Sequence, residues 1–558
     1  MKATQFAILI SLFLLINSLD ESTFSNYEEI YMNSLTGEFK IDFDNKIVIG
    51  NLEYNFTANT KGEKILLDTK SLKIKEVEKI DIDEDGKKVY TKAEFSLEEK
   101  DDPIFGKALT IKISYEKGDS RLIRIKYETT KEGISAQFLE KEQTLGKKYP
   151  IFFTYSPLIS GRSLFPCQDT PAVKFTFDLK IIVPEGLKGM IAGIYTGEEE
   201  YIEEEGETLN YTAYEYELKN PIPSYLLALA AGNFEEKTIT DQIHLFGENE
   251  IINEAYEELS QSLPKAFQLA NDYLGPYKWD NYSILILPGS FPYSGIGNPC
   301  LSFISTCLIN KEDQALIDII FHNMLLSWSG NLVTNNNWND YWMGAGITTF
   351  LRRKIYGMYL RDSQLAKVDA YLGYYYIKGW LQDFSEDQME LTKLRPDLKQ
   401  ISPDDFVTDI PLEKTYNLFY YIENLIGNQT LEEFFKDYFE HFAFQSIDYK
   451  QFREYFLEFC GKKGISQDIL DQINWDEWMN TPGDLPDKYK ISEENQHKQK
   501  ADNLIERIKT IKEEEFETLK TEFNDLPNLS KAYIILSFYY SDDIDFLPEI
   551  QHKFFAES

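Results

Sequence analysis

The sequence predicts a multidomain α+β protein: an all-β N-terminal domain, a mixed α/β and then helical middle domain, and a short helical C-terminal domain. Three observations carry this. The 558 residues are too many for one hydrophobic core. Apolar residues alternate with period two from about Phe39 to Phe234, then recur at helical spacing after about Lys237. A breaker cluster, Thr481-Pro482-Gly483-Asp484-Leu485-Pro486, sets the last segment apart.

The first region reads as short strands rich in β-branched and aromatic residues. They are Phe39–Phe43, Lys64–Asp68, Ala108–Ser114, Leu122–Tyr127 and Phe175–Val183, punctuated by Pro, Gly and acidic turns. Many such strands in a row predict a sandwich or saddle of two sheets. Beyond it, Glu250–Leu274 and Ala315–Ser329 have apolar residues at helical spacing, with a strand-rich piece, Ser283–Pro288, between them. More helical segments follow from Ile347 to Phe459, an order that fits a mixed domain turning helical. From Ile491 to Phe555 the pattern is two or three charged amphipathic helices, with Glu513-Glu514-Glu515 on a solvated face.

With 57 Lys and Arg against 93 Asp and Glu, the net charge of −36 repels phosphate backbones and anionic lipid surfaces. Nucleic-acid and peripheral membrane binding are therefore not expected; an acidic, solvated surface is the simplest reading, with a cationic partner left open. Lys2 followed by the apolar run Phe6–Ile16 and the small or polar Asn17, Ser18 and Asp20 has the layout of a cleavable secretory leader over residues 1–19. The run is too short for a bilayer core of ~30 Å, and no later stretch reaches that length. Export to the secretory lumen or beyond is the expectation, with Asn-x-Ser/Thr acceptor sites for glycans at Asn55, Asn210, Asn281, Asn428 and Asn528. The four cysteines, Cys167, Cys300, Cys307 and Cys460, show no disulfide ladder, CxxC or metal-knuckle spacing, and whether Cys300 and Cys307 meet across a turn stays open.

Three blocks carry the functional signal. They are Phe165-Pro166-Cys167-Gln168-Asp169-Thr170-Pro171-Ala172-Val173-Lys174, the stretch from Pro288 through Gly295-Ile296-Gly297-Asn298 to Leu301, and the stretch from His322 through Ser327-Trp328-Ser329-Gly330-Asn331 to Trp342. In this order they resemble the zinc aminopeptidase family of leukotriene-A hydrolase and aminopeptidase B. The resemblance implies a β-saddle domain over 20–236, a thermolysin-like domain over 237–481, and a linker with a shortened helical domain over 482–558.

The same resemblance implies two His ligands one helical turn apart, a Glu ligand from the next helix, and a Glu general base beside the first His. It also implies a carboxylate on the substrate amine and a Tyr on the oxyanion. Matched residue by residue, His322 keeps the first ligand position. Asn323 stands at the base, Leu326 at the second ligand and Ala345 at the third. Gly297 takes the amine-anchor position and Leu412 the oxyanion position, while Arg352 replaces a Glu behind the metal. None of the other four histidines lies within a turn of His322; Asp318, one turn before it, is expected to cap or pair with its imidazole, the alternative being that the two bind a metal weakly. Asp404 matches a water-directing Asp loosely and reads more simply as a surface turn residue.

These substitutions predict a secreted pseudo-peptidase without a metal cofactor, whose cleft binds a peptide or protein partner along the backbone of Gly295, Ile296 and Asn298 without cutting it. The alternative is an active zinc aminopeptidase with a diverged metal site.

Overall fold

The computed structural model describes residues 20–201, 210–309, 315–492, 494–540 and 554; the leader-like segment 1–19 lies outside them. An eight-stranded sheet is the frame of the N-terminal domain. At its centre Ile30–Asp42 runs antiparallel to Ile47–Ala58 and parallel to Phe175–Pro184. Val48, Gly50, Leu52, Tyr54, Phe56 and Ala58 face inward in strict alternation, which is what a sheet with one wet face requires. A three-stranded sheet of Gly62–Thr69, Lys107–Tyr115 and Phe95–Leu97 adds Ile65, Leu67, Leu109 and Ile111 to the same core. Four of the five strands read from the sequence fall inside observed ones, and Phe39–Phe43 runs one residue past the strand that ends at Asp42.

The middle domain opens with a five-stranded sheet: β1 (Glu235–Thr240), β2 (Ile243–Gly247), β3 (Tyr282–Leu287), β4 (Gly295–Ile296) and β5 (Leu301–Ser305), in the order β1-β2-β3-β5-β4. Strands β2, β3 and β5 are parallel, and β3 is buried at every position, the mark of a parallel strand covered on both faces. Strand β4 lies antiparallel at the sheet edge.

Helices α1 (Ile252–Leu274) and α2 (Ala315–Leu325) pack on this sheet, and α3 (Ala345–Leu360), α4 (Ser363–Asp383), α5 (Asp409–Ile426) and α6 (Asn428–His441) pack on them and on one another. Helix α2 stops four residues short of the expected Ser329, because the chain turns through Gly330 at φ 108°. The last segment forms helices at Gln496–Lys509, Phe516–Asn524 and Asn528–Tyr539; the third packs on α4. All four cysteines are free, so Cys300 and Cys307 do not pair. Among the described residues no helix is long and apolar enough to cross a membrane.

The first sequence block is the seam between the domains. Gln168 bonds the backbone of Ile30 and Met32, and Asp169 takes the fully buried guanidinium of Arg162 at 2.8 Å. Lys174 reaches the next domain and donates to the carbonyls of Asn331, Leu332 and Gln445 at 3.0–3.1 Å. Its burial drives the amine well below its ordinary pKa. This seam fixes the loop after α2, and with it the back wall of the cleft below.

Candidate functional site

Helix α2 has two faces. Ile320, Phe321, Met324 and Leu325 are fully buried against the core. Asp318, Ile319, His322, Asn323 and Leu326 line a cleft of about 630 Å³, as i, i+4 spacing on a helix demands. The cleft is closed by β4, by the entry to α3, and by residues of α4 and α5.

His322 stands half-buried on the floor; burial and then the nearby Arg352 charge push its imidazole down to about 4, so the ring is neutral at pH 7. The expected pairing of Asp318 with His322 does not form. Both Asp318 oxygens take Arg352 Nη1 instead, at 2.7 and 2.6 Å. Arg352 also donates to Asp369. Asp369 accepts from Arg353 Nε at 2.7 Å, and Arg353 forks onto both Glu413 oxygens at 2.7 Å each. Asp318, Arg352, Asp369, Arg353 and Glu413 thus form one buried chain of alternating charge across α2, α3, α4 and α5. Burial pushes Asp318 and Glu413 up despite one guanidinium each. Asp369, held by two guanidinium groups, is driven far down.

The positions that the resemblance matches to catalytic groups all reach this cleft. Leu326 and Leu412 are half-buried in its lining, and Ala345 begins α3. Asn323 is buried, and its Nδ2 has no hydrogen-bond partner. Glycines bring β4 directly onto α2. A Cβ at Gly295 would lie 2.2 Å from Asn323 Nδ2, and one at Gly297 would lie 2.7 Å from Asn323 O and 2.9 Å from Leu326 Cδ1. Strand β4 pairs with β5 on one side only, so Gly295 and Ile296 leave a backbone edge to the cleft. Asp404 is exposed at the rim, as a turn residue should be, and still lines the cleft.

Sequence reasoning missed Asp369, Arg353 and Glu413, and four cleft tyrosines: Tyr155, Tyr225, Tyr341 and Tyr376. The available signal was Arg352 and Arg353 at adjacent positions of a largely apolar helix, since buried charges require partners.

The Peptidase M1 N-terminal domain matches residues 26–226, and the Peptidase family M1 domain matches residues 258–478. The chain belongs to the M1 peptidase family. Among similar M1 proteins, leucine aminopeptidase 2 of Aspergillus niger is 33% identical over 93% of this chain and 81% of its own length. Leucine aminopeptidase 2 of Yarrowia lipolytica is 34% identical over 85% of this chain and 70% of its own. The leukotriene A4 hydrolase of Saccharomyces cerevisiae superposes with a TM-score of 0.82 at 27% identity, over 97% of this chain and 84% of that one. An M1 zinc metallopeptidase from Deinococcus radiodurans, at 13% identity and a TM-score of 0.63, shares the fold over 84% of this chain and 98% of its own.

These likenesses confirm the multidomain fold and the family. They overturn three expectations drawn from the sequence: that the chain is a pseudo-peptidase, that it is no enzyme, and that no metal belongs to it. Relatives a third identical across most of the chain are named as aminopeptidases, and the family is one of zinc peptidases.

The side chains themselves do not fit zinc. Of the three matched positions, only His322 carries a ligand atom; Leu326 has none, and Ala345 has no side-chain donor. Among the described residues no three His, Cys, Asp or Glu stand together in a way that holds a metal ion. The carboxylates nearest the floor are taken by guanidinium groups.

Proposed function

We propose that the chain is an aminopeptidase-type hydrolase that releases N-terminal residues from peptides, through a site that has diverged from the family's metal arrangement. The observation that carries this reading is the match to leucine aminopeptidases at 33% identity over 93% of the chain, cleft included. The cleft's construction is consistent with it. The β4 edge offers backbone N–H and C=O groups to an extended peptide, the way a strand is added to a sheet. Helix α2 and the Arg352 network hold the floor rigid, and the neutral imidazole of His322 presents nitrogen without charge. The test is release of leucine from leucyl amides by the purified full chain, with bound zinc measured in the same sample. Turnover above background supports the reading; folded, peptide-binding protein with none, zinc added or not, contradicts it.

We also infer that the chain is exported. The leader-like layout of residues 1–19 supports this, as do exposed acceptor sites at Asn210 and Asn428. Appearance of the trimmed, glycan-bearing chain in the medium of a eukaryotic host supports export; intracellular retention with Met1 intact contradicts it.

A further inference from the structure

We propose that Tyr341 and Tyr376 are hydroxyl donors that each bind a carbonyl oxygen of a peptide in this cleft. The inference rests on the peptide-hydrolase reading above and adds the group that recognises the peptide main chain.

Of the four cleft tyrosines, two are already committed. Tyr225 donates to the carbonyl of Gly330 at 3.4 Å. Tyr155 stacks on Tyr293 with ring centroids 4.0 Å apart, and the two hydroxyls bond each other. Tyr341 and Tyr376 differ: among the described residues neither hydroxyl has a hydrogen-bond partner, and neither is sealed away in the core. Tyr341 sits in the short helical segment Trp338–Met343 that leads into α3, its ring held edge-on by Phe406 at 6.1 Å. Tyr376 projects from α4 into the same cleft.

The surroundings decide what these hydroxyls do. The Asp409 carboxylate acts on both phenols, and Asp369 and Glu413 act on Tyr376 as well. Burial first, and then these negative charges, hold both phenols protonated far above neutral pH, Tyr376 up to about 12. Each is therefore a neutral donor. These carboxylates disfavour an anion beside either ring, so the fitting acceptor for each hydroxyl is an uncharged carbonyl oxygen. A peptide lying along β4 carries such oxygens at regular intervals. One Asp409 oxygen accepts from Trp380 Nε1 at 2.9 Å, which fixes that carboxylate in place.

Replacement by Phe removes each hydroxyl and keeps the ring. In titration calorimetry with leucyl-glycyl-glycine, Y341F and Y376F each weaken binding about 3–10-fold, and the double variant by more than either alone, at unchanged Tm. With a leucyl amide, KM rises about as much as binding weakens, while kcat changes little. A double variant that binds and turns over within twofold of the parent overturns the proposal while leaving the peptide-hydrolase reading standing. A parent protein that gives no heat with the tripeptide overturns both.

Discussion

Arg352 grips both oxygens of Asp318 across the contact between α2 and α3, at 2.7 and 2.6 Å, and its other nitrogen holds Asp369. The guanidinium therefore sets both the charge of the cleft floor and the packing of three helices. Arg352→Met strands one buried carboxylate and half-strips another, and is expected to cost about 3–5 kcal/mol in urea denaturation. Combining it with Asp318→Leu removes the stranded charge and should recover a large part of that loss. A double variant as unstable as the single one would show that the pairing is not what holds the floor.

Strand β4 rests on α2 without side chains between them. Gly297→Ala puts a methyl group 2.7 Å from the Asn323 carbonyl, on backbone that cannot swing aside. Strand and helix must part, at a cost of about 1–3 kcal/mol, and the edge offered to a peptide shifts with them. Titration calorimetry with a tripeptide should show weakened binding, whereas Gly186→Ala, in an open turn where a Cβ meets nothing within 4 Å, should leave binding unchanged.

Lys414 lies buried beside the cleft, its Nζ donating to the carbonyls of Thr392 at 2.6 Å and Thr481 at 3.1 Å. Burial lowers its pKa to about 8 from an ordinary 10.5. Between those values the unfolded chain binds the extra proton and the folded chain does not, so this residue's contribution to stability rises with pH from about 8 to 10.5. The neutral amine keeps two N–H donors, one for each carbonyl. Denaturation midpoints taken from pH 7.5 to 10 should rise for the parent relative to Lys414→Met, by the equivalent of up to about 3 kcal/mol. Parallel profiles for the two proteins would contradict this.

The fold was legible wherever local periodicity carried the information. Val48 through Ala58 alternate as a half-buried strand must, and Tyr282–Leu287 is continuously apolar because both faces are covered. The change of period after Lys237 fell close to the start of the five-stranded sheet. In the cleft, the sequence identified α2 and the β4 glycines, whose meaning lies in a contiguous motif. It did not reveal that Asp318 belongs to Arg352, since their side chains meet only when α3 folds back, 34 residues on. Nor did it separate Tyr341 and Tyr376 from the other 34 tyrosines, because an open hydroxyl is a property of the assembled cleft and not of any spacing. The reading of Leu412 overlooked its neighbours: Glu413 ends the charge chain and Lys414 ties α5 to Thr392 and Thr481.

The family match argues for catalysis, while the residues around His322 do not assemble a zinc site, and one measurement brings the two together. Full-length chain, purified from a secreting host, is assayed for leucine release from leucyl amides, with zinc quantified in the same sample and heat-denatured protein as control. Turnover that exceeds the control's is the result expected of an aminopeptidase-type hydrolase using this cleft. No turnover at any zinc concentration, from protein that is folded and binds a tripeptide, would contradict it.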